Sequence, residues 1–144
     1  FEPEVVDEVI NLYYSKTFDY VSNNLKIGWP HGLEVEIFSS NALTQANNQA
    51  KLGYEREHVT PWIRSNNNFK KGNLDCSINL NNQIRLTVDY LEDYKFFKKL
   101  VSLSNKNVYD ISIEDIDEII NKNPEILNIN LSKNQRVLNQ KNEK

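Results

Sequence analysis

Methionine is missing from this chain altogether, and the first residue is Phe1. Without an initiator residue the sequence reads as part of a longer polypeptide. Cysteine is nearly as scarce. Cys76 stands alone, so no internal disulfide can form, and no zinc-type Cys/His spacing surrounds it. That excludes a disulfide-stapled scaffold, makes a reducing cytoplasm the expected setting, and leaves Cys76 as a small core residue. Clustered basic residues are absent too: 17 lysines and arginines are scattered among 20 acids, for a net charge of -3. A nucleic-acid partner is therefore not expected. No apolar run approaches the ~18 residues of a membrane span. The N-terminus lacks the basic-then-apolar layout of a signal peptide, so a soluble protein without membrane contact is expected.

The 144 residues suit one domain, which at this size buries roughly 70% of its unfolded surface. Residues 2–14 read as a helix, with Val5, Val6, Val9, Ile10 and Tyr13 on one face and Pro3 in the first turn. "FDYVSN" reads as a short strand. "GWPHG" is turn chemistry that delivers the chain into "LEVEIF", a strand whose Leu33, Val35 and Ile37 alternate with Glu34 and Glu36. Ser39 or Ser40 caps a helix carrying Leu43, Ala46 and Ala50. "NLDCSINL" and "QIRLTV" alternate as two further strands. A helix from Asp89, with Glu92 at capping-box spacing, carries Phe96, Phe97, Leu100 and Val101; another from Ser112, boxed by Asp115, carries Ile113, Ile116, Ile119 and Ile120. After about residue 131 the chain is Asn, Gln and Lys, which predicts a disordered tail.

Three stretches offer chemistry. In "WPHGLEVEIF", His31, Glu34 and Glu36 either face a ligand from a turn and its strand or form a solvated outer face. In "GYEREHVTPWIR", helical spacing puts Glu55 and His58 on one face and Arg56 on another. A histidine beside carboxylates suits acid/base work or anion binding, and it equally suits a surface helix with local ion pairs. Pro61 kinks this helix or starts a new one with Thr60 as cap, so the backbone changes course just after His58. In "RLTVDYLED", Asp89 leaves the end of an apolar strand. It is placed either to cap the next helix or to meet a hard cation such as Mg²⁺.

Taken in order, "WPHGLEVEIF", "YEREHVTPWI" and "RLTVDYLEDYKFFKKL" resemble the C-terminal half of the cytidylyltransferase family that activates sugars for surface polysaccharides. The resemblance is closest to the spore coat polysaccharide biosynthesis branch, which is related to the synthetases of CMP-activated Kdo and sialic acids. It covers residues 1–104; "SIEDIDEIINKNPEI" is similar to a helical C-terminal extension of that branch, giving an extension over 105–130 and the tail over 131–144. The implied fold is α/β, a partial nucleotide-diphospho-sugar transferase (GT-A-like) fold with a mixed sheet flanked by helices and the N-terminal nucleotide-binding half absent. The implied reaction joins CTP to a sugar or sugar acid and releases pyrophosphate, with Mg²⁺ as cofactor. The resemblance makes Asp89 a metal ligand, His58 a catalytic or substrate-contacting residue, Arg56 and Glu57 sugar contacts, and His31, Glu34 and Glu36 weaker substrate contacts. An arginine at position 56 suits a substrate carboxylate. The family's glycine-containing nucleotide loop has no counterpart here, and its other metal aspartate falls just before Phe1. The chain is therefore expected to need an N-terminal half or to self-associate as a homodimer. The alternative is a non-catalytic binding or assembly module that kept this half-fold.

Overall fold

Val5 and Val9, four residues apart, form the buried stripe of helix α1 (Pro3–Ser15), which the proline opens at its first turn. The computed structural model describes residues 3–76, 78 and 84–134. They divide into two compact units: one built from Pro3–Lys26 and Val35–Asp75, the other from Ile27–Glu34 and the chain from Cys76 onward.

The first unit is organised around three short strands, β1 (Tyr20–Ser22), β2 (Glu36–Phe38) and β3 (Lys71–Asn73), in the order β2-β1-β3. β1 pairs antiparallel with β2 and parallel with β3, so the sheet is mixed. The expected strand over residues 33–38 is thus half its predicted length. Strand alternation sends Tyr20 and Phe38 to one face, where they stack 6.4 Å apart and pack with Ala42, Ala46, Ile63 and Phe69. Those residues belong to α2 (Ser40–Gln49), to α4 (Pro61–Ser65) and to the turn after it, while α1 packs on β1 and β2. Ser39 caps α2, its hydroxyl accepting from Ala42 N at 3.1 Å. Leu43, expected on the buried stripe, is 41% exposed; Ala42 takes that place.

The second unit is mostly helical. α5 (Leu91–Leu103) buries Phe96 and Leu100, and α6 (Ile113–Lys122) buries all four of its isoleucines after Ser112, whose capping box with Asp115 forms as expected. A 3-10 stretch, Pro124–Ile129, packs on both helices with Ile126 and Leu127. A further 3-10 turn, Leu131–Lys133, follows, and Asn134 is fully buried; residues 135–144 of the expected tail lie outside the described residues.

The two strands expected over 73–80 and 83–88 differ from what is seen. Residues 77 and 79–83 lie outside the described residues, and Ile84–Leu86 makes only an isolated bridge, between Arg85 and His31. A loop accepts the segment in place of a neighbouring strand. The cost of that contact is a glycine: Gly32 has φ +109, and a Cβ there would lie 2.3 Å from Leu86 O. Cys76 is only half-buried rather than core, and burial pushes its thiol pKa up.

Candidate functional site

Position 85 is where the sequence pattern and the structure part most sharply. Alternation of Ile84, Leu86 and Val88 points Arg85 outward, yet Arg85 is buried at 3% exposure beside Ile84 and Leu86, and Val88 is exposed. The reason lies one helix on. Asp93 stands on the inner face of α5, one turn before Phe96 and two before Leu100, and is fully buried. A carboxylate there needs a buried cation. Arg85 supplies it: Nε donates to Asp93 Oδ1 at 3.1 Å and Nη2 to Oδ2 at 3.3 Å.

The pair is built into the fold from several sides. Asp93 Oδ2 also accepts from the backbone N–H groups of Asp89 and Tyr90, both at 3.1 Å, so it caps α5. Asn130 donates its side-chain amide to Asp93 Oδ1 at 3.0 Å and to the Arg85 carbonyl at 3.2 Å. Burial opposes the charge of Asp93, but the bonds from Arg85, the backbone and Asn130 outweigh it and hold the carboxyl below its usual range. Burial likewise opposes the charge of Arg85, and the bonds to Asp93 and Asp89 more than reverse it, so its pKa is raised.

Two residues singled out from sequence meet at this guanidinium. Nη2 donates to Asp89 Oδ2 at 2.5 Å, and Nη1 lies 3.4 Å from His31 Nδ1. His31 reaches Arg85 because its own carbonyl accepts from Leu86 N at 2.6 Å. Asp89 is not the cap of α5: Tyr90 is the N-cap residue and Asp93, not Glu92, closes the box. The Asp89 side chain is 63% exposed. Nor does Glu34 sit in a strand; its Oε2 accepts from Gly32 N at 2.6 Å and closes the turn that carries His31.

The other candidates fall in the first unit. Glu36 does not lie on an outer acidic face, since it shares the inner face of the sheet with Tyr20 and accepts that hydroxyl at 2.6 Å. Burial, then the Glu36 bond, raises the Tyr20 pKa. The segment from residue 53 forms α3 (Gly53–His58), which ends at Val59. Val59 has φ 67 and ψ -54, and Thr60 N donates to His58 O at 2.7 Å across it. This is a γ-turn of the rare, strained kind, and it is the break expected after His58. Pro61 then starts α4 at its first position, although the Thr60 side chain makes no cap bond.

Glu55 and His58, three residues apart in α3, differ in exposure. Glu55 is buried, its Oε2 accepting from Lys51 N and Leu52 N, while His58 is exposed. Arg56 Nη1 donates to the Asn47 carbonyl at 2.8 Å. A cleft of about 230 Å³ separates α2 from α3, with Asn47, Glu55, Arg56 and Val59 in its wall. Glu57 is exposed.

Among the described residues no group of three His, Cys, Asp or Glu side chains is placed to hold a metal ion, and no helix is long and apolar enough to cross a membrane. As a metal ligand Asp89 offers a single exposed carboxylate that already takes a bond from Arg85.

No family profile matches the chain. The chain is 36% identical over 135 residues to the uncharacterized protein MJ1063 of Methanocaldococcus jannaschii, a match covering 92% of this chain and 54% of that protein. It is 28% identical over 127 residues to the spore coat polysaccharide biosynthesis protein SpsF of Bacillus subtilis, covering 86% of this chain and 51% of the other. Among solved structures it superposes on a cytidylyltransferase from Leptospira borgpetersenii with a TM-score of 0.78 and 27% identity, covering 88% of this chain and 53% of that one. The chain spans about half the length of each of these proteins. In fold and in sequence it is cytidylyltransferase-like.

Proposed function

We propose that this chain is the sugar-side, C-terminal half of a cytidylyltransferase that activates a sugar or sugar acid with CTP for surface polysaccharide synthesis. The observation that carries the reading is the superposition of 88% of the chain on a cytidylyltransferase at a TM-score of 0.78 together with 27% identity. In the reaction a sugar hydroxyl attacks the α-phosphorus of CTP. A new P–O bond forms, the bond to pyrophosphate breaks, and the hydroxyl proton passes to a base. The protein must hold two anionic reactants in line.

On this reading Arg56, Glu57 and His58 contact the sugar, with His58 as base or hydrogen-bonding group, and His31, Glu34 and Glu36 are secondary contacts. Glu34 and Glu36 already have partners within the fold, Glu34 in the turn that carries His31 and Glu36 at the start of β2, so each would meet the sugar from a position its partner fixes. Mg²⁺ often takes only one or two protein carboxylates beside phosphate and water. Asp89 suits one such place, and the remaining ligands come from the substrate and from a partner polypeptide, either an N-terminal half or a second copy. The setting is cytoplasmic. A second reading is a non-catalytic binding or assembly module that kept this half-fold.

Calorimetry separates the two. The chain is titrated with CTP and Mg²⁺ alone and again after addition of a separately expressed N-terminal half. Heat only in the mixture is the expected result. Association of the halves with no CTP binding removes the enzyme reading and leaves the module.

A further inference from the structure

We propose that Arg85 is a positioning residue that fixes the orientation of His31 and Asp89 together, an inference that deepens the cytidylyltransferase reading and rests on it for its catalytic consequence. A guanidinium carries five N–H donors in a rigid plane and no acceptor. Here the donors are divided: Nε and Nη2 go to buried Asp93, Nη2 also to Asp89, and Nη1 faces His31 Nδ1. Asp93 and Asn130 form the fixed floor, and the Arg85 side chain is 4% exposed.

A purely structural role needs only the Asp93 bonds, since an ion pair with a carboxylate as exposed as that of Asp89 adds little to stability. The extra contacts instead set orientation. Because Arg85 can only donate, the His31 Nδ1 that faces it presents its lone pair, and the ring hydrogen sits on Nε2. Asp89, otherwise a mobile surface carboxylate, is tied at Oδ2. An N–H donor and a carboxylate are thereby aimed from one buried plane. Gly32 makes the arrangement possible, since only a residue without Cβ brings the His31 loop so close to Leu86.

Nitrogen NMR reads this directly. The sequence has two histidines, so His58→Gln in the labelled 144-residue chain leaves His31 as the one imidazole. At about pH 8, above the ordinary histidine pKa, His31 is expected as a single Nε2–H tautomer. Averaged tautomers, or a proton on Nδ1, overturn the proposal without any further variant. Arg85→Lys keeps the charge but cannot span three partners, and the folded variant is expected to lose the single-tautomer pattern; an unchanged pattern also overturns it. In the full-length enzyme Arg85→Lys should lower kcat by roughly tenfold or more, the usual effect of losing an outer-sphere support, with KM for CTP little changed. Equal kcat reduces Arg85 to a structural ion pair. Absence of turnover by the wild-type enzyme would sink the cytidylyltransferase reading instead, and the tautomer result would stand on its own.

Discussion

Arg85 and Arg56 both stand in stretches dense with charge, and they are held in opposite ways. Arg85 is bound by other side chains, those of Asp93, Asp89 and His31. Arg56 is bound mainly by main chain, the Asn47 carbonyl, and its neighbour Glu55 likewise spends its carboxylate on the backbone N–H groups of Lys51 and Leu52. In the first region the geometry of one charged group depends on the next, so a change should spread. In the second each charge braces a helix end, so a change should stay local.

The largest test of that contrast is Arg85→Ala, which strands Asp93 as an unpaired buried charge. Removing one partner of a buried pair costs about 3–5 kcal/mol, and urea unfolding should show it. Asp93 also gives this loss a pH signature. Its pKa is lowered in the folded state, so its contribution is present above the unfolded value of about 3.9 and is lost as pH falls through the folded value. The wild-type chain should therefore weaken steeply below about pH 4, whereas Arg85→Ala, whose Asp93 gains from being protonated, should show a flattened acid limb. In the second region, Glu55→Ala should cost about 1 kcal/mol, the usual loss of a helix cap. Amide exchange should quicken at Lys51 and Leu52, and the Arg56 bond to Asn47 should survive. Smallest is Asp89→Ala, expected within about 1 kcal/mol of wild type because the carboxylate is exposed. A loss as large as that of Arg85→Ala would erase the distinction between the floor of the cluster and its solvent edge.

Much of the secondary structure was legible because it follows apolar spacing. The isoleucine stripe of α6, the Ser112 box and the Ser39 cap all form where their spacing puts them. The start of α5 departs from the spacing rule because two capping frames overlap in "VDYLED", Asp89 with Glu92 and Tyr90 with Asp93. Aspartate is the better N-cap by propensity, but the Asp89 carboxylate turns outward to Arg85 Nη2, while Asp93 Oδ2 takes Arg85 and the N–H groups of Asp89 and Tyr90 together. A signal for the buried pair did exist. Asp93 falls at helical spacing from Phe96 and Leu100, and Arg85 stands between two apolar strand-like residues; two opposite charges on two core faces imply each other. His31 and Asp89 could not be joined from sequence, since what unites them is a third residue and the tight passage at Gly32. The Val59 turn was legible only as a break, because a β-branched residue gives no hint of a positive φ.

The Asn130 amide has a temporal consequence. It closes on the Arg85 carbonyl from 45 residues downstream, so at synthesis rates of about 5–20 residues per second Arg85 emerges roughly 2–9 s before the residue that completes its surroundings. During that interval Asp93 and Arg85 have each other but not the group that seals them. A nascent chain stalled between positions 93 and 130 should therefore expose a charged seam to chaperones and proteases, one that disappears when the last turns are released.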